Sequence, residues 1–325
     1  MPLVPPKFWD RPTSCLGYLL EPISWLYRGS AAVHKLISRP YRAPVPVISI
    51  GNFVLGGAGK TPVTIAIAKT LQTMGHQPHI ISRGYGGSLN GPIQVDLSQH
   101  QSHQVGDEPL LLAQYAPTWV SKNRRSAVNL AINSGADILL LDDGHQNYTL
   151  EKDFSVVVVS ETQGFGNGRI FPAGPLRQSI KSGLKNTSAI IYIAQKIDSL
   201  PVSLRFIQHP LIRAEIVPIA PKPCAVLAFT GIGHPEKFRQ TLVDAGYKIK
   251  AFMPFPDHYP YTEEDLRKLR MRARVERALL ITTEKDAMRI PSASLKDIFI
   301  LPMGLVFEPV TALESLLKKF LEKRI

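Results

Sequence analysis

The chain has 325 residues, of which 44% are hydrophobic and 20% are charged. This length is sufficient for two domains of ordinary size, and the hydrophobic content argues against a disordered chain. The two cysteines, Cys15 and Cys224, lie far apart and in no metal-ligand spacing, which argues against a disulfide framework or a zinc site and favours a reducing cytosol. The net charge of +12 at pH 7 suits an anionic partner, such as a nucleic acid, a phosphorylated metabolite or an acidic membrane surface, without deciding among them.

Residues 1–43 are predicted to form an N-terminal amphipathic helical segment. Apolar residues recur at near-helical spacing from position 16 to position 37, although Pro22 and Gly29 interrupt the pattern. Two interpretations stay open: a helical hairpin that packs on the main domain, or an interfacial element that touches an anionic membrane. No apolar run reaches the roughly 18 residues that a membrane-spanning helix needs. Prolines and an aspartate also interrupt the N-terminus where a signal peptide would require an apolar stretch.

Apolar runs alternate with helical patterns through the rest of the chain. Several runs are nearly continuous in valine, isoleucine and leucine, as expected for strands that are covered on both faces. Helices between successive strands imply crossover connections and a mostly parallel sheet flanked by helices, so the predicted fold class is α/β. The predicted strands are Pro46–Ile50, His79–Ser82, Ile138–Leu141, Ser155–Val159, Ala189–Ile193, Ala225–Phe229, Leu279–Thr282 and Ile298–Leu301.

Composition divides this part of the chain into two predicted domains. The proline-rich segment Pro218–Cys224 precedes a new strand and is the best candidate for a linker. We therefore expect a first domain over residues 44–218 and a smaller C-terminal α/β domain over residues 219–325. Near the end of the chain, Thr311 and Glu314 have the spacing of a capping box and predict a C-terminal helix.

The stretch VISIGNFVLGGAGKTPVTIAIAK (residues 47–69) predicts a strand, a glycine-rich turn and a helix. The usual phosphate-loop spacing requires a glycine where Val54 stands, so this would be a variant loop; the alternative is an ordinary glycine turn with an exposed lysine. Glycines let the backbone approach an anion, Lys60 would bridge the outer phosphates, and the hydroxyl of Thr61 would help to hold Mg²⁺. The predicted nucleotide-binding residues are Gly56, Gly57, Ala58, Gly59, Lys60, Thr61 and Pro62.

Two acidic residues follow the predicted strand in ADILLLDDGHQNY (residues 136–148). Carboxylates at the end of a buried strand beside a phosphate loop are natural partners of a nucleotide-bound metal ion. Asp-Asp-Gly also favours a solvated turn. The interpretation of Asp142 as a metal ligand and of Asp143 as a catalytic residue therefore depends on the glycine loop upstream.

Further segments contain candidate acid–base residues. In VGDEP, Asp107 and Glu108 begin a predicted helix, so they either stabilise the helix dipole or act as a base or metal ligand at the rim of the sheet. In FPDHYPYTEEDL, His258 lies between two prolines, a rigid setting that suits proton transfer, although most loop histidines are merely exposed. TTEKDAMRI (residues 282–290) follows an apolar strand and could contact an adenine base, line the cleft or simply begin a charged helix.

Arginines cluster on loops where the sheet is expected to open. The segments SRGYGG, SKNRRS and GNGRIFPAGPLRQ contain Arg83, Arg124 and Arg177. Arginine forks suit a phosphorylated substrate, so these three are predicted to bind substrate. Solvation at the surface is the alternative for each of them.

Together these motifs resemble the tetraacyldisaccharide 4′-kinase family of lipid A biosynthesis. The matching stretches occur in the family's order from Gly51 to about Arg289: GNFVLGGAGKTP, SRGYGG, VGDEP, LLLDDGHQ, GRIFPAGPLRQ, FTGIGHPEKF, FPDHYPYTEEDL and TTEKDAMR. The resemblance implies a P-loop NTPase-like fold that transfers the γ-phosphate of ATP, with Mg²⁺, to the 4′-hydroxyl of a tetraacylated glucosamine disaccharide 1-phosphate, giving lipid IVA. It also implies a peripheral location at the cytoplasmic face of the bacterial inner membrane, against its anionic surface.

The resemblance also implies roles for individual residues. Asp107 carries over as the base on the sugar hydroxyl, supported by His258 from the second domain, and we expect domain closure to assemble this pair. Asp142 and Asp143 belong to the metal and catalytic cluster. Gln146 is a predicted substrate-binding residue.

This sequence departs from the family's pattern at three positions. Gln178 stands where the family usually has Glu, so no anionic role is assigned at that position. His145 and Asn147 replace an apolar residue and a histidine, so neither receives a catalytic role. Two other functions have less support. A switch-type phosphate-loop ATPase would carry a signature lysine at the start of the loop, and a nucleic-acid-binding module would interleave aromatic and basic residues. The sequence shows neither pattern, so we expect no nucleic-acid partner, and no obligate protein partner is evident.

Overall fold

The computed structural model describes residues 6–194, 204, 207–219 and 223–323. The strands are β1 Val47–Gly51, β2 Pro78–Ser82, β3 Ile93–Gln94, β4 Thr118–Val120, β5 Ile138–Leu141, β6 Phe154–Ser160, β7 Ala189–Ala194, β8 Leu211–Pro218, β9 Ala225–Thr230, β10 Lys248–Pro254, β11 Leu279–Thr283, β12 Ile298–Leu301 and β13 Met303–Glu308. The helices are α1 Cys15–Ile37, α2 Lys60–Thr73, α3 Ser102–Val105, α4 Asp107–Ala113, α5 Arg124–Asn133, α6 Ile180–Leu184, α7 Pro235–Asp244, α8 Glu263–Val275, α9 Glu284–Ala287 and α10 Ala312–Glu322.

The large sheet contains nine strands in the order β13-β8-β7-β6-β1-β5-β2-β4-β3. Neighbouring strands are parallel except at the two edges, where β13 and β3 run antiparallel to their neighbours. All eight predicted strands are present, each within one residue of its predicted bounds. The five strands that were not predicted, β3, β4, β8, β10 and β13, are short or mix polar with apolar residues, because they lie at or beside sheet edges.

The small sheet contains four parallel strands in the order β10-β9-β11-β12. One face packs against α8 through Leu266 and Leu269, and the other packs against α7 through Phe238 and Leu242. Helices therefore cover both faces of a parallel sheet, as the alternation of strand and helix patterns predicted.

The C-terminal end of the chain returns to the large sheet, which corrects the predicted domain of residues 219–325. Strand β13 pairs with β8 in the large sheet, and α10 buries Leu313, Leu317 and Phe320 in the core that also contains α2. The predicted C-terminal helix is present, but its amphipathic pattern could not show which sheet it covers.

In the described part of the N-terminal segment, Cys15–Ile37 forms one continuous helix, α1, and not a hairpin. Pro22 lies inside this helix. Two residues further on, the hydroxyl of Ser24 donates to the carbonyl oxygen of Ile170 at 2.7 Å, and this hydrogen bond holds the helix against the large-sheet region. Only Gly17 and Ser24 of α1 are buried. Nine large apolar side chains are exposed along it: Leu16, Tyr18, Leu19, Ile23, Trp25, Leu26, Val33, Leu36 and Ile37. Among the described residues, no helix combines the length and the apolar character that crossing a membrane requires.

Candidate active site

The glycine-rich turn connects β1 to α2 at the carboxyl ends of the parallel strands. Gly59 precedes α2 with φ +86°, and Gly56 has φ +110°, so both occupy backbone conformations that favour glycine. A Cβ atom on Gly59 would also lie 2.5 Å from the Cδ1 atom of Ile193. Gly56 and Gly57 are exposed, whereas Ala58 is buried. The turn thus presents backbone to the cleft directly before a helix N-terminus, the arrangement that binds phosphate.

The absent glycine at position 54 has a structural explanation. Val54 is buried and forms an antiparallel bridge with Leu176. On either side, the amide of Leu55 donates to the carbonyl of Pro175 at 2.8 Å, and the amide of Arg177 donates to the carbonyl of Phe53 at 2.7 Å. The segment GPLR therefore fixes the start of the loop by short antiparallel pairing, and a side chain at this position packs into the core.

Five polar residues around the loop form what we call the loop cluster: Asn52, Lys60, Asp143, Gln146 and Arg177. The Nζ of Lys60 lies 3.3 Å from the Oδ1 of Asn52 and 3.6 Å from the Oδ1 of Asp143. The Nη1 of Arg177 donates to the Oδ2 of Asp143 at 2.9 Å and to the Oε1 of Gln146 at 3.3 Å. The Nε2 of Gln146 donates to the carbonyl of Asn52 at 2.9 Å. The structure thus brings four predicted site residues together, while Asn52 was missed although it directly follows β1.

The two acidic residues after β5 have opposite electrostatic environments. Burial, together with the negative charges of Glu108 and Asp143, raises the pKa of Asp142 to about 6. Burial acts in the same direction on Asp143, but Lys60 and Arg177 outweigh it and hold the pKa of Asp143 below its usual range. Asp143 therefore stays ionised beside the loop lysine, whereas at Asp142 the positive charges of Lys60 and Arg124 do not outweigh burial and the neighbouring acids.

The predicted Mg²⁺ ligands fit the ion by their donor chemistry. The described part of the chain contains no group of three or more His, Cys, Asp or Glu side chains suited to a metal ion. Mg²⁺ commonly keeps several waters and binds one or two carboxylates together with substrate phosphates. The hydroxyl of Thr61 in the first turn of α2 and the buried carboxylate of Asp142 match that set. A divalent cation would add positive charge beside Asp142, where Lys60 and Arg124 alone do not offset burial.

The predicted substrate-binding arginines lie in different settings. Arg124 is buried, and its Nη2 donates to the carbonyls of Asp142 and Asp143 at 2.7 and 3.1 Å. It therefore shapes the loop that carries the two acids. Arg83 is exposed, and its charge contributes to lowering the pKa of Arg124, for which burial is the larger cause. Arg177 belongs to the loop cluster. A role of these three arginines in substrate binding stays a prediction.

A second group, which we call the boundary cluster, consists of Asp107, His258 and Arg289. Asp107 is buried at the start of α4, on the large sheet, and His258 and Arg289 reach it from the small-sheet region. The Nδ1 of His258 lies 3.1 Å from the Oδ2 of Asp107. The same oxygen accepts from the Nε and Nη2 of Arg289 at 2.9 and 2.7 Å. The structure therefore unites the two predicted acid–base residues and adds an arginine that sequence reasoning did not single out.

Positive charge dominates the environment of Asp107. Burial acts to raise its pKa, but the hydrogen bond from His258 and the charges of Lys285 and Arg289 outweigh burial and hold the pKa below its usual range. Lys285 also pairs with Glu108 at 3.1 Å. His258 has φ +59°, and its amide donates to the carbonyl of Gly231 at 3.0 Å, so the backbone fixes the position of the imidazole.

The two clusters are close neighbours. Glu108 follows Asp107 in the chain, and its charge is near enough to raise the pKa of Asp142. The hydroxyl of Ser82, at the end of β2, donates to the Oδ2 of Asp142 at 3.1 Å. A phosphate loop with its lysine, an acidic strand end and an adjacent acid–histidine pair on a parallel α/β sheet define a phosphate-loop kinase.

Comparison with known proteins identifies the family. Residues 16–322 match the family described as Tetraacyldisaccharide-1-P 4′-kinase. The tetraacyldisaccharide 4′-kinase of Rhodospirillum rubrum is 42% identical over 332 residues, which cover 98% of this chain and 98% of that protein. That of Methylobacterium nodulans is 43% identical over 320 residues, 95% and 93% of the two chains. The crystal structure of LpxK from Aquifex aeolicus in complex with ATP superposes with a TM-score of 0.78 and 26% identity, over 94% of this chain and 99% of that one.

The chain belongs to the tetraacyldisaccharide 4′-kinase family. The resemblance and the P-loop NTPase-like fold class predicted from the sequence are thereby confirmed, and the chain is a kinase.

Proposed function

We propose that this kinase transfers the γ-phosphate of ATP to the 4′-hydroxyl of a tetraacyldisaccharide 1-phosphate, giving lipid IVA. Family membership supports the reaction, and the contact between Asp107 and His258 at 3.1 Å is the observation that carries it. A phosphate loop alone would suit hydrolysis as well as transfer. An acid–histidine pair next to that loop provides a place for an acceptor hydroxyl.

On the nucleotide side, the chain's own groups grip the triphosphate. Backbone amides of the turn and the first turn of α2 point at phosphate oxygens, and Lys60 contacts the outer phosphates. Asn52 and Asp143 hold the ammonium group of Lys60 in place before ATP binds. Mg²⁺, held by Thr61 and Asp142, would neutralise charge that develops on the phosphates.

On the acceptor side, Asp107 accepts a hydrogen bond from the sugar hydroxyl and turns its oxygen toward phosphorus. The oxygen–phosphorus bond forms as the bond from the γ-phosphorus to the ADP oxygen breaks, and the hydroxyl proton passes to Asp107. A carboxylate with a low pKa is a weak base, but a loose transition state requires proton removal only late in the reaction. Groups of this kind contribute roughly 10²- to 10⁴-fold to rate.

The lipid acceptor explains the exposed apolar side chains of α1. Acyl chains leave a bilayer at a high free-energy cost, so the enzyme must work at a membrane surface. The helix presents Trp25, Leu26 and Leu36 outward, with the exposed cations Arg28 and Lys35 nearby. We infer that α1 rests on the anionic cytoplasmic face of the bacterial inner membrane, so that the protein is peripheral there.

Transfer of radiolabelled γ-phosphate tests the reaction. The purified protein is incubated with ATP, Mg²⁺ and the detergent-dispersed disaccharide 1-phosphate lipid, and label should appear in the lipid at its 4′ position. Label released only as inorganic phosphate would contradict the proposal and favour a hydrolase.

Vesicle sedimentation tests the membrane contact separately. Reversing the charge of Arg28 and Lys35 should weaken binding to anionic vesicles, because each basic residue near such a surface contributes about 1 kcal/mol. A matched control reverses Lys248 and Lys296, which are exposed in the small-sheet region. Equal losses in the two variants would show a general effect of net charge and contradict a contact through α1.

A further inference from the structure

Arg289 lies at the boundary between the two sheets and is almost completely buried. Its side chain is 3% exposed, and that of Asp107 is 6% exposed. Two donors of Arg289, Nε and Nη2, bind the same carboxylate oxygen of Asp107, Oδ2. His258 binds the same oxygen. Among the described residues, all three hydrogen-bonding contacts found for this carboxylate therefore fall on Oδ2, and none of them uses Oδ1.

The guanidinium group of Arg289 is itself fixed by the small-sheet region. Its Nη1 donates to the carbonyl of Gly231 at 2.7 Å and to the Oδ1 of Asp286 at 3.2 Å. Asp286 is fully buried and cannot move easily, because four other groups donate to it. These donors are the hydroxyls of Thr230, Thr283 and Tyr261 and the amide of Gly231.

We propose that Arg289 is a positioning residue for phosphoryl transfer: it holds the Asp107 carboxylate by Oδ2 and thereby keeps Oδ1 turned toward the acceptor hydroxyl. The inference rests on the function proposed above. A planar guanidinium with two parallel donors fixes the orientation of a carboxylate, which a single point charge cannot do. Because Gly231 accepts from both Arg289 and the amide of His258, one backbone carbonyl sets the position of both partners of Asp107.

The surrounding charges explain why an arginine is needed at this position. Burial alone would raise the pKa of Asp107 and favour its neutral form. Lys285 is already paired with Glu108 at 3.1 Å, and Asp257 lies 3.9 Å from the Nε2 of His258. Arg289 makes two hydrogen bonds to the carboxylate, and its charge helps to keep the pKa of Asp107 low despite burial.

The test compares Arg289→Gln and Arg289→Lys with the control Tyr261→Phe in the radiolabel transfer assay. Tyr261 donates to the same Asp286 at 2.9 Å. In the part of the chain that the structure describes, Tyr261 is not a hydrogen-bond partner of Asp107, so its variant disturbs the same buried network without removing a donor to that carboxylate. Transfer by the unaltered enzyme is measured first; if it fails, the proposed function fails and the inference is withdrawn with it. Thermal unfolding of each variant shows whether the fold persists.

We expect Arg289→Gln to lower kcat by about 10²-fold, the cost of a misplaced catalytic group, with KM for ATP unchanged. Arg289→Lys should retain part of kcat, because it keeps the charge but not the fork. In an Asp107→Asn background, Arg289→Gln should have little further effect on kcat, whereas Tyr261→Phe should act equally in both backgrounds.

Two results would overturn the inference while leaving the proposed function standing. One is a transferring wild-type enzyme in which Arg289→Gln and Tyr261→Phe lower kcat equally. The other is an effect of Arg289→Gln that is just as large without the Asp107 carboxylate. Either result would mean that Arg289 acts through the stability of the small-sheet region.

Discussion

The loop cluster and the boundary cluster are built in different ways. The residues of the loop cluster lie on segments that follow strands of the large sheet or begin α2, so one sheet determines their geometry. The boundary cluster exists only where the two sheets meet, since Asp107 comes from one region and His258 and Arg289 from the other. We therefore expect the first cluster to determine nucleotide binding, and the second to determine transfer and to respond to how the sheets are docked.

The largest expected effect is on the loop cluster. Lys60→Ala should lower transfer by about 10³-fold, because the ammonium group stabilises charge that develops in the transition state, and ATP binding should weaken as well. The matched control is Lys69→Ala on the same helix, whose ammonium group lies 4.4 Å from the ring centroid of Tyr115. Equal activity of Lys60→Ala and the control would remove the phosphate-loop assignment.

The boundary cluster should show a different kinetic pattern. Asp107→Ala and His258→Ala should each lower kcat by about 10²- to 10³-fold, leave ATP affinity unchanged, and combine less than additively because they act as a unit. His76→Ala is the control, since His76 also meets an aspartate through Nδ1, at 3.0 Å from Asp137. Loss of ATP affinity in the Asp107 or His258 variant would erase the distinction between the clusters.

The variant start of the loop can be tested through stability. Val54→Gly restores the usual phosphate-loop glycine, but it removes a buried side chain and adds backbone freedom. It should lower the free energy of unfolding by about 2 to 4 kcal/mol, measured by denaturant titration, with ATP affinity retained near wild-type values. Improved stability would contradict the anchoring of this position by Leu176.

The smallest expected effect concerns docking of the two sheets. Lys285→Met breaks the contact with Glu108, and both side chains are about one third exposed, so the pair contributes only about 0.2 to 1 kcal/mol. We expect kcat to fall about two- to fivefold, with ATP affinity unchanged. Glu108→Gln should lower kcat by a similar factor, because it breaks the same contact. If the kcat values of the Lys285→Met and Glu108→Gln variants differ by orders of magnitude, one of the two residues acts on the substrate directly.

The same contrast explains what the sequence could predict. Central strands such as β5 and β6 were found because both faces are buried and their residues are almost all apolar. Lys60 and the two acids after β5 follow from local patterns. Arg289 could not be found in this way, because its significance depends on a contact with a residue 182 positions away.

Other predictions were wrong for physical reasons that the sequence hides. Pro22 suggested a break, but α1 continues through it, and Ser24 beside it contacts the large-sheet region. The apolar face of α10 fits either sheet, and only the pairing of β13 with β8 shows that it belongs to the large one. Local patterns predict elements well, whereas their assignment to partners depends on contacts that are distant in sequence.

A crystal structure with a nonhydrolysable ATP analogue and Mg²⁺ would test most directly whether the two clusters serve one reaction. The account predicts phosphates enclosed by the turn at residues 56–61, Lys60 on the terminal phosphate, and that phosphate facing the carboxylate of Asp107. A nucleotide bound elsewhere, or one whose terminal phosphate points away from Asp107, would contradict it.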